Sequence, residues 1–226
     1  MAKAAKRAGA AKPVPANPPA DCRRCPRLAQ FRDRNRKIYP GYFNGAAPSA
    51  GGCKASLLIV GLAPGLHGAN RTARPFMGDS AGDLLYATLA KFGFSTGTYT
   101  ADKYDRVKLL DTMITNAVRC APPQNKPNGA EIKTCRAFLT AQIHELKKLR
   151  AVLCLGRIAH DSTLAALNIK PKVAPFSHGA AHSVEGLGVT LFDSYHCSRY
   201  NTNTRRLTPE MFESVFADIR NLIDQS

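Results

Sequence analysis

Four short runs carry no charge: Leu57–Val60, Thr112–Val118, Ala151–Leu155 and Val189–Phe192. Each is long enough for one strand, and an uncharged strand must be covered on both of its faces. Helical patterns lie between them: Ser80–Phe92, about 130–149 and Ile158–Leu167. A last helix begins at Thr208-Pro209-Glu210, with a capping hydroxyl, proline at the first helical position and an early acid. Phe212, Val215, Phe216, Ile219 and Leu222 form its apolar stripe. Strands alternating with helices give an α/β fold, here a three-layer α/β/α arrangement around a central, mostly parallel four-stranded sheet.

The 226 residues fit one such domain, expected over 21–226, preceded by a disordered basic arm at 1–20. An apolar content of 44% supplies a core without disulfides, and no apolar run approaches the roughly 18 residues needed to span a bilayer. The first twenty residues lack the apolar centre of a secretory signal, so a cytoplasmic protein is expected, nucleoid-associated if bacterial. The formal charge is +16, and residues 1–37 hold eleven Lys or Arg against two Asp. Such an imbalance points to a polyanion, DNA or RNA first.

In parallel sheets, ligands bind at the carboxyl ends of the strands. The first strand runs into GLAPGLHGANRTARPFMGD (61–79), and the second carries Asn116 before Arg119-Cys120. Gly156-Arg157 follows the third, and Ser194-Tyr195-His196-Cys197-Ser198-Arg199 closes and follows the fourth. The loop at 61–79 is neither a Walker loop nor G-x-G-x-x-G, because the required Lys and glycine spacing are absent. Asn116 can donate and accept together, as reading a base edge requires. Phe76 can stack on a planar ligand, and His196 can hydrogen bond an oxygen that becomes negative. Asp79 could orient a water as a carboxylate accepting its proton, or could help cap the next helix; Ser80 is the expected cap, which leaves Asp79 freer for the water. His67 is a weaker candidate, and the pair His178 and His182 is not expected to hold metal, since Gly179 interrupts it.

Seven cysteines in a chain without an export signal do not form a disulfide framework. Cys22-x-x-Cys25 with Cys120 and Cys135 makes four thiolates that suit zinc or a [4Fe–4S] cluster.

With these residues set out, the chain resembles the uracil-DNA glycosylase superfamily, specifically its iron–sulfur family 5 (type b) branch. The resemblance rests on GLAPGLHGANRTARPFMGDSAGDLLY (61–86), TNAVRCAPPQNKP (115–127) and HCSRYN (196–201). It implies a uracil-DNA glycosylase-like domain that flips a damaged base out of DNA and hydrolyses its N-glycosidic bond, without a lyase step. The backbone from Gly61 through Leu62 and Ala63 would contact the base, Phe76 would stack on it and Asn116 would bond its edge. His196 would stabilise charge on the leaving base, and Ser198, Arg199 and Arg205 or Arg206 would hold phosphates. Cys22, Cys25, Cys120 and Cys135 would bind a [4Fe–4S] cluster. The implied partner is double-stranded DNA bearing a deaminated base, with single-stranded DNA as a second form, and a monomer is expected.

Related families place Asp, Asn or Glu where Leu62 stands; the apolar residue, shared with family 5, shifts the water to Asp79 and suggests that hypoxanthine and other deaminated bases are also accepted. Ala73 stands where Gly is expected, and Cys197 where Pro is. The rival readings are a family 4 glycosylase and a non-catalytic iron–sulfur nucleic-acid-binding protein.

Overall fold

The structure is a computed structural model that describes residues 14–102, 104–184 and 186–225. Its elements run α1 (Pro26–Ile38), β1 (Ala50–Gly51), β2 (Leu57–Gly61), α2 (Ala69–Thr72), α3 (Ser80–Lys91), β3 (Ser95–Thr96), β4 (Lys108–Leu109), β5 (Thr112–Asn116), α4 (Gly129–Glu145), β6 (Ala151–Leu155), α5 (Arg157–Ala166), β7 (Ala181–Val184), β8 (Val189–Ser194), α6 (Arg199–Asn203) and α7 (Pro209–Asp224).

The main sheet has the order β1-β5-β2-β6-β8-β7. Its four central strands are the expected ones and pair in parallel, while β1 and β7 add antiparallel edges. The sheet is therefore six-stranded, not four-stranded. β1 has only two residues, and β7 alternates exposed and buried positions, so neither carries the uncharged run that marks a doubly covered strand.

Side chains alternate across β2 as the pleat demands. Leu57 and Ile59 join the core under α3 and α7, with Leu85, Leu89, Phe212 and Phe216. Leu58 and Val60 join the opposite core under α4 and α5, with Leu139, Ile143 and Leu164. Thr208 Oγ1 caps α7 by accepting from Met211 N at 3.2 Å, and Phe212, Val215, Phe216 and Ile219 are buried, as the sequence required.

Part of the expected arm is packed. Ala16 is buried, Asn17 Oδ1 accepts from Ser49 N at 2.8 Å, and Ala20 O accepts from Ala46 N at 2.8 Å. Arg119, fully buried, donates to Ala16 O at 3.1 Å and to Asn17 Oδ1 at 3.3 Å. Residues 16 and 17 thus accept from an interior guanidinium, a long-range contact that composition does not reveal. Residues 1–13 lie outside the described residues.

A second buried charge supports the strand before His196. His160 Nδ1 lies 2.7 Å from Asp193 Oδ1, and His160 Nε2 lies 2.9 Å from Ala174 O. Two acceptors require both ring nitrogens to donate, so this imidazole is held as the cation. Burial opposes that charge, but the hydrogen bond and negative charge of Asp193 outweigh it and raise the pKa. A raised folded-state pKa contributes stability that is complete below the ordinary value of about 6.5 and is lost as pH rises through the raised value. The melting temperature should accordingly fall across that window, and the fall should flatten in Asp193→Asn when both proteins are melted at a series of pH values.

Candidate active site

The carboxyl ends of β2 and β5 open into a cavity of about 280 Å3. Leu62, Ala63, Pro64, Gly65, Phe76 and Asp79 line it from one motif, and Asn116, His196 and Ser198 from two others. Three segments far apart in sequence therefore meet where the parallel register places them: Gly61 pairs with Asn116 across β2 and β5, and Ala117 N donates to Gly61 O at 2.9 Å.

Gly61 is a glycine because of what crowds it. A Cβ there would lie 2.5 Å from Asn116 Oδ1 and 2.7 Å from the Phe76 ring, closer than carbon atoms approach. Asn116 is buried, and its amide has no hydrogen-bond partner among the described residues, which leaves it for a ligand. Phe76 faces His196 with ring centroids 5.7 Å apart and planes 27° from parallel. The His196 ring has no hydrogen-bond partner among the described residues either, and burial alone lowers its pKa to about 4. It is a neutral imidazole at ordinary pH.

The expectation that Ser80 caps α3 and frees Asp79 is corrected. Asp79 is itself the cap, with Oδ1 accepting from Gly82 N at 3.2 Å. Oδ2 faces the loop: a Cβ on Gly68 would lie 2.6 Å from it, and one on Gly65 3.4 Å. Capping and lining the cavity are thus divided between the two carboxylate oxygens. Burial raises the Asp79 pKa, against the lowering effect of the Gly82 and Ala81 amides, so this carboxylate gains a proton more readily than an exposed one.

Both departures from the motifs have a local account. Ala73 ends α2 at φ +62, the left-handed conformation that makes glycine the expected residue there. Cys197 is fully buried and donates from Sγ to Ala81 O at 3.3 Å, tying the His196 loop to the first turn of α3. Asn201 Nδ2 donates to His196 O at 2.8 Å from the other side.

Beyond His196 lies a second cavity, lined by Arg157, Phe176, Ser177, Tyr195, Asn201 and Arg206 among others. Arg157 lies over the Phe176 ring at 5.1 Å, and Arg206 over Tyr195 at 4.6 Å. Arg206 rather than Arg205 borders it; Arg205 and Arg199 are exposed. Sequence reasoning also missed Asn125, which reaches the main cavity from a 3-10 turn, Pro123–Asn125, where both Gln124 and Asn125 have φ +56. Asn125 sits in no pattern that would announce it. His178, considered in the sequence only as half of a metal pair, accepts from Tyr195 N through Nδ1 at 3.2 Å. His67 points elsewhere, with Nδ1 3.0 Å from the Tyr42 hydroxyl.

The four cysteines Cys22, Cys25, Cys120 and Cys135 line one apolar cavity with Leu28, Val118 and Phe138. Burial pushes Cys120 up to about 12 and Cys135 up to about 11, so as free thiols they would be neutral. Cationic and amide donors already face the sulfurs: Arg32 reaches Cys120 Sγ at 3.7 Å, and Arg119 N donates to Cys135 Sγ at 3.3 Å. Among the described residues no group of three or more His, Cys, Asp or Glu could hold a single metal ion.

A three-layer α/β/α sheet whose parallel strands end in a small pocket with an unpaired amide, a stacked aromatic ring and a neutral histidine is the architecture of a domain that takes a small ligand at its strand ends. The family model of the uracil DNA glycosylase superfamily matches residues 48–220. A type-5 uracil-DNA glycosylase of Thermus thermophilus is 40% identical over 206 residues, covering 89% of this chain and 93% of the relative. One from Mycobacterium leprae is 39% identical, covering 89% and 91%. A type-4 uracil-DNA glycosylase of Pyrobaculum aerophilum is 32% identical, covering 69% and 72%. This chain belongs to the uracil DNA glycosylase superfamily, within its type-5 branch.

Gly61→Ala should force Phe76 and Asn116 apart. Overpacking at such a site costs about 1–3 kcal/mol, read as a lowered denaturation midpoint, and a crystal structure should show the Phe76 ring displaced from the β2 end.

Proposed function

We propose that this protein is a monofunctional uracil-DNA glycosylase of base excision repair. It takes an extruded uracil into the pocket at the ends of β2 and β5 and releases it by hydrolysis. The observation that carries this reading is the convergence of Phe76, Asn116, Asp79 and His196 on one cavity sized for a small planar ligand. Phe76 stacks on the base, the free Asn116 amide bonds its polar edge, and the backbone from Gly61 to Ala63 closes around it.

As the C1′–N1 bond breaks, its electron pair leaves with the base, and negative charge grows on the uracil ring and its O2. A neutral imidazole donates to that oxygen without carrying a proton that must first be lost. Burial of His196 favours this state, and a donor aimed at developing charge is worth roughly 3–4 kcal/mol. Water adds at C1′ and gives one proton to Asp79, which passes it to the departing anionic base or to solvent, so the products are free base and an abasic site. With Leu62 apolar, Asp79 is the carboxylate lining the cavity, and its raised pKa suits a base.

Ser198 borders the pocket, and Arg157 and Arg206 border the adjoining cavity; we assign them to DNA phosphates, with Arg199 and Arg205 on the same exposed edge. Duplex DNA with a deaminated base is the proposed substrate, hypoxanthine being a second candidate lesion because no polar group stands at Leu62. Release from oligonucleotides bearing U·G, U·A, single-stranded U or hypoxanthine ranks these lesions.

Asp79→Asn keeps a capping side chain while removing the base, and should lower single-turnover uracil release by about 10²–10⁴-fold and abolish the acid limb of the pH profile. His196→Ala should cost about 10²–10³-fold. Unchanged release in both variants would show that the chemistry lies elsewhere; a wild-type protein that binds DNA but frees no base would favour a binding module.

We further propose that Cys22, Cys25, Cys120 and Cys135 bind a [4Fe–4S] cluster. Four cysteine sulfurs lining one apolar cavity, with Arg32 and the Arg119 amide facing two of them, suit a cluster held by thiolates. When bound, the cluster serves as a crosslink and supplies no step of the hydrolysis. It would join the segment before α1, the exit of β5 and α4, where Arg27 already pairs with Glu131 through two contacts of 2.7 Å. The purified protein should be brown and contain about four irons per chain; a colourless, zinc-loaded protein would overturn the assignment.

A further inference from the structure

Phe76 holds its ring in the pocket from a backbone conformation that aromatic residues avoid, φ +58. Gly78, two residues on, has φ +82. Such a turn persists only where its surroundings over-determine it, and here the surroundings are two tyrosines. The Tyr86 hydroxyl donates to Pro75 O at 3.0 Å. The Tyr99 hydroxyl donates to Phe76 O at 3.4 Å. The two rings stack on each other, centroids 4.6 Å apart and 12° from parallel, so each hydroxyl is aimed by its neighbour's ring.

The rest of the turn is equally committed. A Cβ on Gly82 would collide with Phe76 O and the Tyr99 hydroxyl, so α3 can approach only at a glycine. Arg74 pairs with buried Asp105 at 2.7 Å and donates to Val107 O at 3.2 Å. Tyr99, Asp105 and Val107 all belong to the excursion between β3 and β4, none of whose described residues lines the pocket. Burial raises both phenols, Tyr99 up to about 12, so both remain donors. Neither tyrosine lines the pocket.

We propose that Tyr86 and Tyr99 are positioning residues for base release, acting through Phe76: their hydroxyls hold the Pro75–Gly78 turn so that the ring stays against the base. This inference rests on the glycosylase reading above. Tyr86→Phe/Tyr99→Phe keeps the stacked rings and removes only the hydroxyls. Single-turnover release of uracil should fall about tenfold, the scale of one or two lost hydrogen bonds, with DNA affinity unchanged. In a Phe76→Ala background the same two substitutions should change the rate less than twofold, since nothing remains for them to position.

A crystal structure of the double variant should show Phe76 departing from φ near +58; Tyr99→Phe alone serves if the double variant melts too low. Wild-type activity with no loss in the double variant, an equal loss in the Phe76→Ala background, or an unmoved Phe76 would each overturn the proposal. A wild type that releases no uracil would instead sink the glycosylase reading, and the Phe76 backbone would then decide the positioning on its own.

Discussion

The missing Cβ of Gly61 is the constraint on which the site depends. β2 lies between β5 and β6 in parallel register, so its last residue meets Asn116 at the sheet's edge. Only a glycine allows the Asn116 amide and the Phe76 ring to reach the same point. The same economy recurs one turn into α3, where Gly82 lets the helix approach the carbonyl of Phe76, and at Gly68, where the loop closes on Asp79. Three glycines thus permit three close approaches behind the side chains that line the pocket.

Asp79 shows how a structural and a chemical role can share one side chain. Its two oxygens point in different directions, one to the amides of α3 and the other over the glycine loop. The helix N-terminus favours the carboxylate while burial opposes it, and the raised pKa records that burial prevails. His196 lies under the simpler rule: with no partner, burial alone makes it neutral.

The cysteine cavity and the pocket are linked along the chain. Cys120 begins a loop that reaches the pocket at Asn125, is capped at Asn128 by a reciprocal bond with Glu131, and returns to Cys135 in α4. Arg27 holds Glu131 from α1, and Arg119 holds residues 16 and 17 from the other side. The N-terminal segments are therefore built into the support of the loop that carries Asn125.

From the sequence alone, the four central strands and the helices between them could be found, because uncharged runs and a buried helical stripe leave a direct periodic mark. Phe76, Asn116 and His196 were legible for a related reason: parallel strands deliver whatever follows them to one edge. The two edge strands were not legible, being short and half-exposed. Asn125 and the packing of residues 14–20 were not either, since each depends on a contact across tens of residues and has no pattern of its own. The cap at Asp79 rather than Ser80 was decided by where the Gly82 amide points. The alternation of apolar and polar residues determines which elements form and which faces they bury. Which atoms then come within a hydrogen bond of one another depends on approach distances of a few ångströms, and only the packed tertiary structure sets those.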